Sequence, residues 1–322
     1  MPETLLIYDP DAPADARAYA TGITRELPAL KAIAAGTIAD AIAAANEATI
    51  LVAKAHDISA ALVAAIPALR WIQALTTGVD PLLALDLPPT VIVTSARGIH
   101  GPQMAELAVL YMLSLSRDFP RMLANQRRAS WQRWGQRLLA GKTAVIVGVG
   151  SISETLAARC KAFGLRVIGV TGRRQADGFD ELYTREHLHE VAARADFLVL
   201  LTPYTPETHH MIDAGVLSAM PKSAYLINIA RGKIVDEGAL IEALRSGRIA
   251  GAALDVFETE PLPESSPLWG LNNVIVTPHI GGMSDIYAEQ VMPLLMHNLH
   301  AFLAGDYAAM RNRVELSHET GS

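Results

Sequence analysis

Three side chains with complementary chemistry stand at the ends of apolar runs in the second half of the chain. Arg231 closes Asn228-Ile229-Ala230-Arg231-Gly232, directly after the run Ala224 to Ile229. A guanidinium there can hold a carboxylate through paired hydrogen bonds and polarise a neighbouring carbonyl. His279 follows the run Val274 to Thr277 and precedes Gly281-Gly282, where a ligand has room to approach. Imidazole is the side chain that exchanges a proton near neutral pH. Glu260 lies in Asp255-Val256-Phe257-Glu258-Thr259-Glu260-Pro261. A carboxylate beside an imidazole orients the ring and favours its protonated form. The trio suits reduction of a carbonyl. Each residue alone has a plainer reading: an ion-paired arginine, a loop histidine, a surface glutamate. Glu258 also competes with Glu260 as the partner of the imidazole. Placement at successive strand ends favours joint function.

A parallel sheet would position such a trio, and its start is legible from Thr143 to Arg174. Ala144-Val145-Ile146-Val147 is a β-branched run long enough for a buried strand. Gly148-Val149-Gly150-Ser151-Ile152-Ser153 follows. Next comes a helical pattern with Leu156, Ala157, Cys160 and Phe163 on one face, stopped by Gly164. Arg166 to Val170 is the second strand. Gly148 permits a tight turn, and Gly150 lets the backbone approach a pyrophosphate. Free amides at the helix start, Ser151 and Ile152, favour that anion. Ser153 stands where the fingerprint has Gly or Ala, and is expected to loosen helix-on-strand packing slightly. The flanking strands make dinucleotide binding the better reading. In an NAD site an acidic residue about 20 residues on binds the ribose hydroxyls. Here Thr171 takes that place, and Arg173 and Arg174 follow, able to pair with a 2′-phosphate. NADP(H) is expected in preference to NAD(H).

Strand-like runs then recur with helical spacers: Asp196 to Leu201, Ala224 to Ile229, Gly251 to Val256 and Val274 to Thr277. This alternation predicts a Rossmann-type, doubly wound parallel sheet. Ligands of such sheets bind beyond the carboxyl ends of the strands. The cofactor site therefore extends to Thr202, Pro203 and Thr208, to Ile229 and Ala230, and to Asp255, His279 and Gly281. Tyr204 reads as packing. Upstream, strands at Thr4 to Tyr8, Thr49 to Ala53 and Thr90 to Thr94 join an apolar run, Leu69 to Leu75. With helices at Ala14 to Leu30, Ala39 to Ala45 and Ser59 to Ala65, they predict a smaller α/β module without a phosphate fingerprint. The helix Gln103 to Arg117 is apolar enough to be expected between domains or subunits. In the arm Arg121 to Gly141, Trp131 and Trp134 alternate with arginines. That reads as a subunit interface rather than a nucleic-acid face. A final helix, Asp285 to Ala304, is expected to be interrupted at Pro293, with a polar tail to Ser322 that is loose at its end.

Composition bounds the reading. The 322 residues suit two domains, and 51% hydrophobic against 19% charged content argues against disorder. A net charge of −6 gives no reason to expect nucleic acid. The ten histidines, among them His187, His189, His209 and His210, form no tight metal-ligand spacing and read as exposed polar residues, so no metal is expected. The single cysteine, Cys160, excludes an intrachain disulfide. Glu3 and Asp9 bracket a very short apolar run, which is no signal peptide, and no uncharged run reaches spanning length. A cytoplasmic protein that contacts no membrane is expected.

These motifs resemble the D-isomer-specific 2-hydroxyacid dehydrogenase family, which includes glyoxylate/hydroxypyruvate reductases. The resemblance runs from Thr77-Gly78-Val79-Asp80 through Gly148-Val149-Gly150 and Pro203-Tyr204-Thr205-Pro206-Glu207-Thr208. Ile227-Asn228-Ile229-Ala230-Arg231-Gly232, Leu254 to Leu262, and Asn273 to Gly282 complete it. It implies that Arg231 binds a substrate carboxylate, that His279 is the acid/base, and that Glu260 rather than Glu258 is its partner. It places Thr77, Gly78 and Val79 in the substrate site, with backbone amides of Gly78 and Val79 facing the carboxylate. It also implies a flavodoxin-like substrate domain from residues 1–97 and 285–322, a dinucleotide-binding domain over 98–284, and a homodimer through the latter. The activity implied is NAD(P)-dependent reduction of a 2-keto acid to a D-2-hydroxy acid. The alternative is a non-catalytic, NAD(P)-sensing, corepressor-like binding protein.

Overall fold

The computed structural model describes residues 3–315. The chain divides into two units, one of the residues up to Ile99 with those from Ser284 onward, the other His100–Met283.

In the first unit, strands β1 (Thr4–Tyr8), β2 (Lys31–Ala35), β3 (Ile50–Ala53), β4 (Trp71–Ala74) and β5 (Ile92–Thr94) pair in the order β5-β4-β3-β1-β2, all parallel. That order is flavodoxin-like. A short strand, Arg313–Val314, pairs antiparallel with β5. The end of the tail, expected to be loose, lies outside the described residues, from residue 316. β1, β3 and β4 are buried along their whole length, as strands covered on both faces must be. The helix Pro13–Glu26 starts with a proline, whose missing amide has no helical partner to lose, and buries Ala16, Tyr19 and Ile23 at helical spacing.

The helix Tyr287–Leu303 buries Val291, Leu295, Leu299 and Phe302 in the same core, with Phe302 stacked on Trp71 at 5.2 Å between ring centroids. Buried side chains fix its register. Asn298 donates to Gln73 at 3.0 Å, and the Thr94 hydroxyl donates to Gln73 at 2.8 Å. Trp71 Nε1 donates to that hydroxyl at 2.8 Å. The interruption expected at Pro293 is absent: the helix runs through it. Pro293 is exposed, so the helical bond it cannot make is lost on a face that water reaches.

In the second unit, β6 (Thr143–Val147), β7 (Arg166–Val170), β8 (Glu181–Tyr183), β9 (Phe197–Leu200), β10 (Tyr225–Asn228), β11 (Gly251–Leu254) and β12 (Val274–Val276) form one parallel sheet. Its order, β12-β11-β10-β9-β6-β7-β8, is the Rossmann order with one added strand. The order reverses between β6 and β9, where such sheets bind ligands. The helix Gly101–Arg117, expected between domains or subunits, buries one face within this unit. Its Met104, Ala105, Ala108, Tyr111 and Met112 pack with Leu156, Ala157 and Cys160 of the helix Ser151–Ala162 in the core of this unit. Phe163, expected on that buried face, is exposed; the helix ends at Ala162, and Gly164 turns the chain at φ +74°. No helix among the described residues is long and apolar enough to cross a membrane.

Candidate active site

β6 delivers the chain to Gly148, which holds φ +93°. A Cβ there would fall 2.5 Å from the Thr202 amide nitrogen, so the turn requires glycine. Gly150 precedes the twelve-residue helix Ser151–Ala162, and no described side chain caps that start. A Cβ on Gly150 would meet no atom within 4 Å. Open space in front of uncapped helical amides fits the pyrophosphate of a dinucleotide. Ser153 does more than fit: it is buried, and its hydroxyl donates to the Gly148 carbonyl at 2.5 Å. The expected loosening is replaced by a hydrogen bond that ties the helix to the turn.

At the end of β7 the Thr171 hydroxyl accepts the Arg173 amide at 3.1 Å. Arg173 is half exposed and pairs with Glu154 at 2.8 Å; Arg174 is exposed. At the end of β9, Thr202 is partly buried and Pro203 is exposed. Thr208 is buried, its hydroxyl donating to the Pro203 carbonyl at 3.0 Å and accepting the Thr205 amide at 2.7 Å, so it shapes this loop from within. Tyr204 packs against the core and meets His209 edge-on.

Asn228, the last residue of β10, builds the turn that carries Arg231. Its side chain accepts the Ala230 amide at 3.1 Å and donates to the Arg231 carbonyl at 3.0 Å. Ile229 and Ala230 are buried within this turn, and Arg231 is partly exposed. At the end of β11, Glu260 accepts the Phe257 amide on one oxygen at 2.9 Å. Its other oxygen lies 2.7 Å from Nδ1 of His279, so Nε2 is the ring nitrogen that Glu260 leaves free for a ligand. Burial raises the Glu260 carboxyl. The hydrogen bonds from His279 and Phe257, with the charges of His279 and Arg231, outweigh it and hold the group below the usual carboxylate range. The carboxylate is therefore charged at neutral pH.

His279 itself holds φ +54°, a conformation uncommon outside glycine and found where surroundings fix it. Asp255 does the fixing. It is 1% exposed, and its carboxylate accepts the Thr277 hydroxyl at 2.5 Å, the Ile280 amide at 3.0 Å and the Gly281 amide at 2.8 Å. These donors bracket His279 in sequence. Tyr111 in turn hydrogen-bonds Thr277. Asp255 and Gly281, expected at the cofactor, thus meet each other here. Asn228, Thr277 and Tyr111 carry this geometry without having been singled out. Only Asn228 gave a signal, as a turn-forming residue at a strand end.

The competition between the two glutamates has a geometric answer. Glu258 lies 2.9 Å from Nε2 of His210, not at His279. His210, expected to be an exposed polar residue, is partly buried and paired; His209 is exposed.

In the first unit, Thr77, Gly78 and Val79 follow β4 and lead into the short helix Asp80–Leu83. The Thr76 hydroxyl donates to the Gly78 carbonyl at 2.6 Å, and Thr77 is exposed. Elsewhere in that unit Asp11, His56 and Asp57 place potential ligand atoms within 4.8 Å of one another. Lys54 already supplies a cation there, 3.0 Å from Asp11.

A profile of the D-isomer specific 2-hydroxyacid dehydrogenase NAD binding domain matches residues 109–281. The D-3-phosphoglycerate dehydrogenase of Methanocaldococcus jannaschii is 37% identical over 221 residues, 65% of this chain; the match spans only 42% of that protein's length. A D-isomer specific 2-hydroxyacid dehydrogenase family protein from Aeromonas salmonicida superposes with a TM-score of 0.89 at 35% identity, over 98% of this chain and 100% of that one. An NADPH-dependent glyoxylate/hydroxypyruvate reductase from Sinorhizobium meliloti, in complex with NADP and sulfate, superposes at 0.82 with 26% identity, over 98% and 99%.

Proposed function

The chain belongs to the D-isomer specific 2-hydroxyacid dehydrogenase family, whose NAD binding domain it contains, and we propose that it reduces a 2-keto acid of the glyoxylate/hydroxypyruvate class to a D-2-hydroxy acid, with NADPH preferred to NADH. The observation that carries this reading is the pair His279–Glu260, 2.7 Å apart, set at strand ends beside the loop of Arg231. The Sinorhizobium reductase acts with NADPH on glyoxylate and hydroxypyruvate, which supports the substrate class.

In this reading Gly148, Gly150, Ser151 and Ile152 hold the pyrophosphate, and Thr171, Arg173 and Arg174 the adenosine ribose. A dihydronicotinamide held there would supply the hydride. Arg231 binds the substrate carboxylate and polarises the carbonyl beside it. His279 donates the proton to the forming oxyanion from Nε2, while Glu260 holds the ring by Nδ1 and balances its charge. Thr77, Gly78 and Val79 are assigned to the substrate on the family resemblance. A dinucleotide-sensing binding protein needs no proton donor, so the His279–Glu260 pair disfavours that alternative. The exposed Phe119, Leu123, Trp131 and Leu138 support a homodimer through the second unit.

The test is a panel of 2-keto acids, glyoxylate and hydroxypyruvate included, following the absorbance of NADPH and of NADH. Cofactor binding without turnover on any member would leave the sensor and remove the reductase.

A further inference from the structure

We infer that Glu258 is a positioning residue that holds the turn carrying Glu260 against the loop carrying Arg231. The inference rests on the roles proposed above for Glu260, His279 and Arg231. Glu258 Oε1 lies 2.9 Å from Nε2 of His210 and accepts the Glu237 amide at 3.2 Å. The Glu258 amide donates back to Oε2 of Glu237 at 3.2 Å. Three segments therefore meet on one residue: the chain around His210, the start of the helix Glu237–Arg245, and the turn that ends at Glu260. The chain around His210 is also joined directly to the turn that follows Arg231, because the His210 amide donates to the Lys233 carbonyl at 2.9 Å and the Ile212 amide to the Ile234 carbonyl at 3.0 Å. Gly232, the neighbour of Arg231, lies on the Phe257–Glu258 peptide so closely that a Cβ would fall 1.8 Å from the Phe257 carbonyl carbon. A displaced Glu258 thus shifts the Phe257–Glu260 turn, and with it the carboxylate that holds His279.

The arrangement is kept at a cost. Burial, with the Glu258 charge adding, raises the Glu237 carboxyl despite the hydrogen bond it accepts. His210 also holds φ +49°, which the surrounding structure must over-determine. Two carboxyl groups brought together, one of them on a left-handed histidine, are poor choices for stability alone, and good ones for fixing three segments in one register.

The experiment compares Glu258→Ala, Glu258→Gln, Glu260→Gln and the double variant Glu258→Ala/Glu260→Gln. A displacement of about an ångström at a reacting centre can cost about a hundredfold, so Glu258→Ala is expected to lower kcat about ten- to a hundredfold. Glu258→Gln keeps an acceptor for both donors and should recover most of that loss. Because Glu258 acts through Glu260, its removal should add less than about twofold once Glu260→Gln is present. Independently of turnover, the ring-nitrogen NMR signals of His279 in the cofactor-free protein should move in Glu258→Ala as they move in Glu260→Gln. Additive kcat losses, or unmoved His279 signals in a folded Glu258→Ala, overturn the inference. Should Glu258→Ala not fold, His210→Ala removes only the side-chain arm and is read by the same criteria. Should the wild type reduce no 2-keto acid, the functional reading fails, and the His279 signals still decide this one.

Discussion

Nδ1 of His279 lies 2.7 Å from one oxygen of Glu260, while the other oxygen of that carboxylate accepts the Phe257 amide at 2.9 Å. The carboxylate is held from both sides, so the ring it holds is held as well. His279→Ala should lower kcat by about 10²–10⁴, the usual worth of a positioned general acid, while NADPH still binds. Glu260→Gln keeps the shape but loses the charged acceptor that orients the ring, so it should lower kcat while KM for the keto acid changes little. A His279→Ala variant with near wild-type kcat would falsify the assignment.

The same carboxylate predicts a pH-dependent contribution to stability. Its carboxyl is held below the ordinary value of 4.5. A group depressed in the folded state stabilises above its ordinary value, and loses that contribution as pH falls through the lower folded value. The Tm difference between wild type and Glu260→Gln should therefore be present at neutral pH and shrink below 4.5. A difference that grows on acidification would reverse the sign of this argument.

Asp255 is a support rather than an exposed contact. Its carboxylate accepts three donors around His279 at 2.5–3.0 Å. Leaving one buried donor unpaired costs about 1–3 kcal/mol, and each kcal/mol is worth about 2–4 °C in a domain of this size. Asp255→Ala should lower Tm by several degrees and lower kcat together, since φ +54° at His279 loses its restraint. Loss of kcat with an unchanged Tm would mean that Asp255 acts on a ligand instead.

The sequence was legible where parallel strands are uniformly apolar. β1 and β7 fall on the residues expected, and β6 within one residue of them. It was opaque where strands lack β-branched runs. β2 is Lys-Ala-Ile-Ala-Ala, whose alanines favour helix, and β8 is the short Glu-Leu-Tyr; both lie at the edges of their sheets and are only partly buried. The helix Gly101–Arg117 was recognisable as buried, but pattern alone does not say against what. At the candidate site, residue types and strand ends brought Arg231, Glu260 and His279 to attention. Residue types alone left Glu258 and Glu260 open and the family resemblance chose Glu260; the structure gives the reason, because residues two apart on a turn face different loops. Asp255 as a clamp was invisible, since a buried carboxylate saturated by backbone amides leaves no pattern in sequence.

Cys160 should be inert in the folded protein. It is fully buried, and burial pushes its thiol up to about 12. The thiolate is the reactive form, so a disulfide reagent at about pH 8 should label it only as fast as the helix Ser151–Ala162 opens. The unfolded chain ionises first, near 9.0, so this thiol subtracts stability only as pH rises above that value. Stoichiometric labelling within seconds under native conditions would contradict the packing of that helix.

The proposed preference for NADPH assigns the 2′-phosphate to Arg173, whose guanidinium lies 2.8 Å from Glu154. Glu154 sits in the first turn of the helix whose start faces the proposed pyrophosphate. A 2′-phosphate brought to Arg173 therefore approaches a guanidinium already balanced by a carboxylate. The two substitutions should act in opposite directions. Arg173→Ala removes a charge-assisted contact worth about 1.5–3 kcal/mol. The side chain is half exposed, so solvent screening favours the low end, about tenfold in the ratio of kcat/KM for NADPH to that for NADH. Glu154→Gln removes the competing charge and should raise the same ratio, by tightening NADPH while leaving NADH nearly unchanged. Both effects should shrink as salt rises, because the contact is open to water. Equal changes for both cofactors in both variants would place the 2′-phosphate elsewhere, with Arg174 the next guanidinium to test.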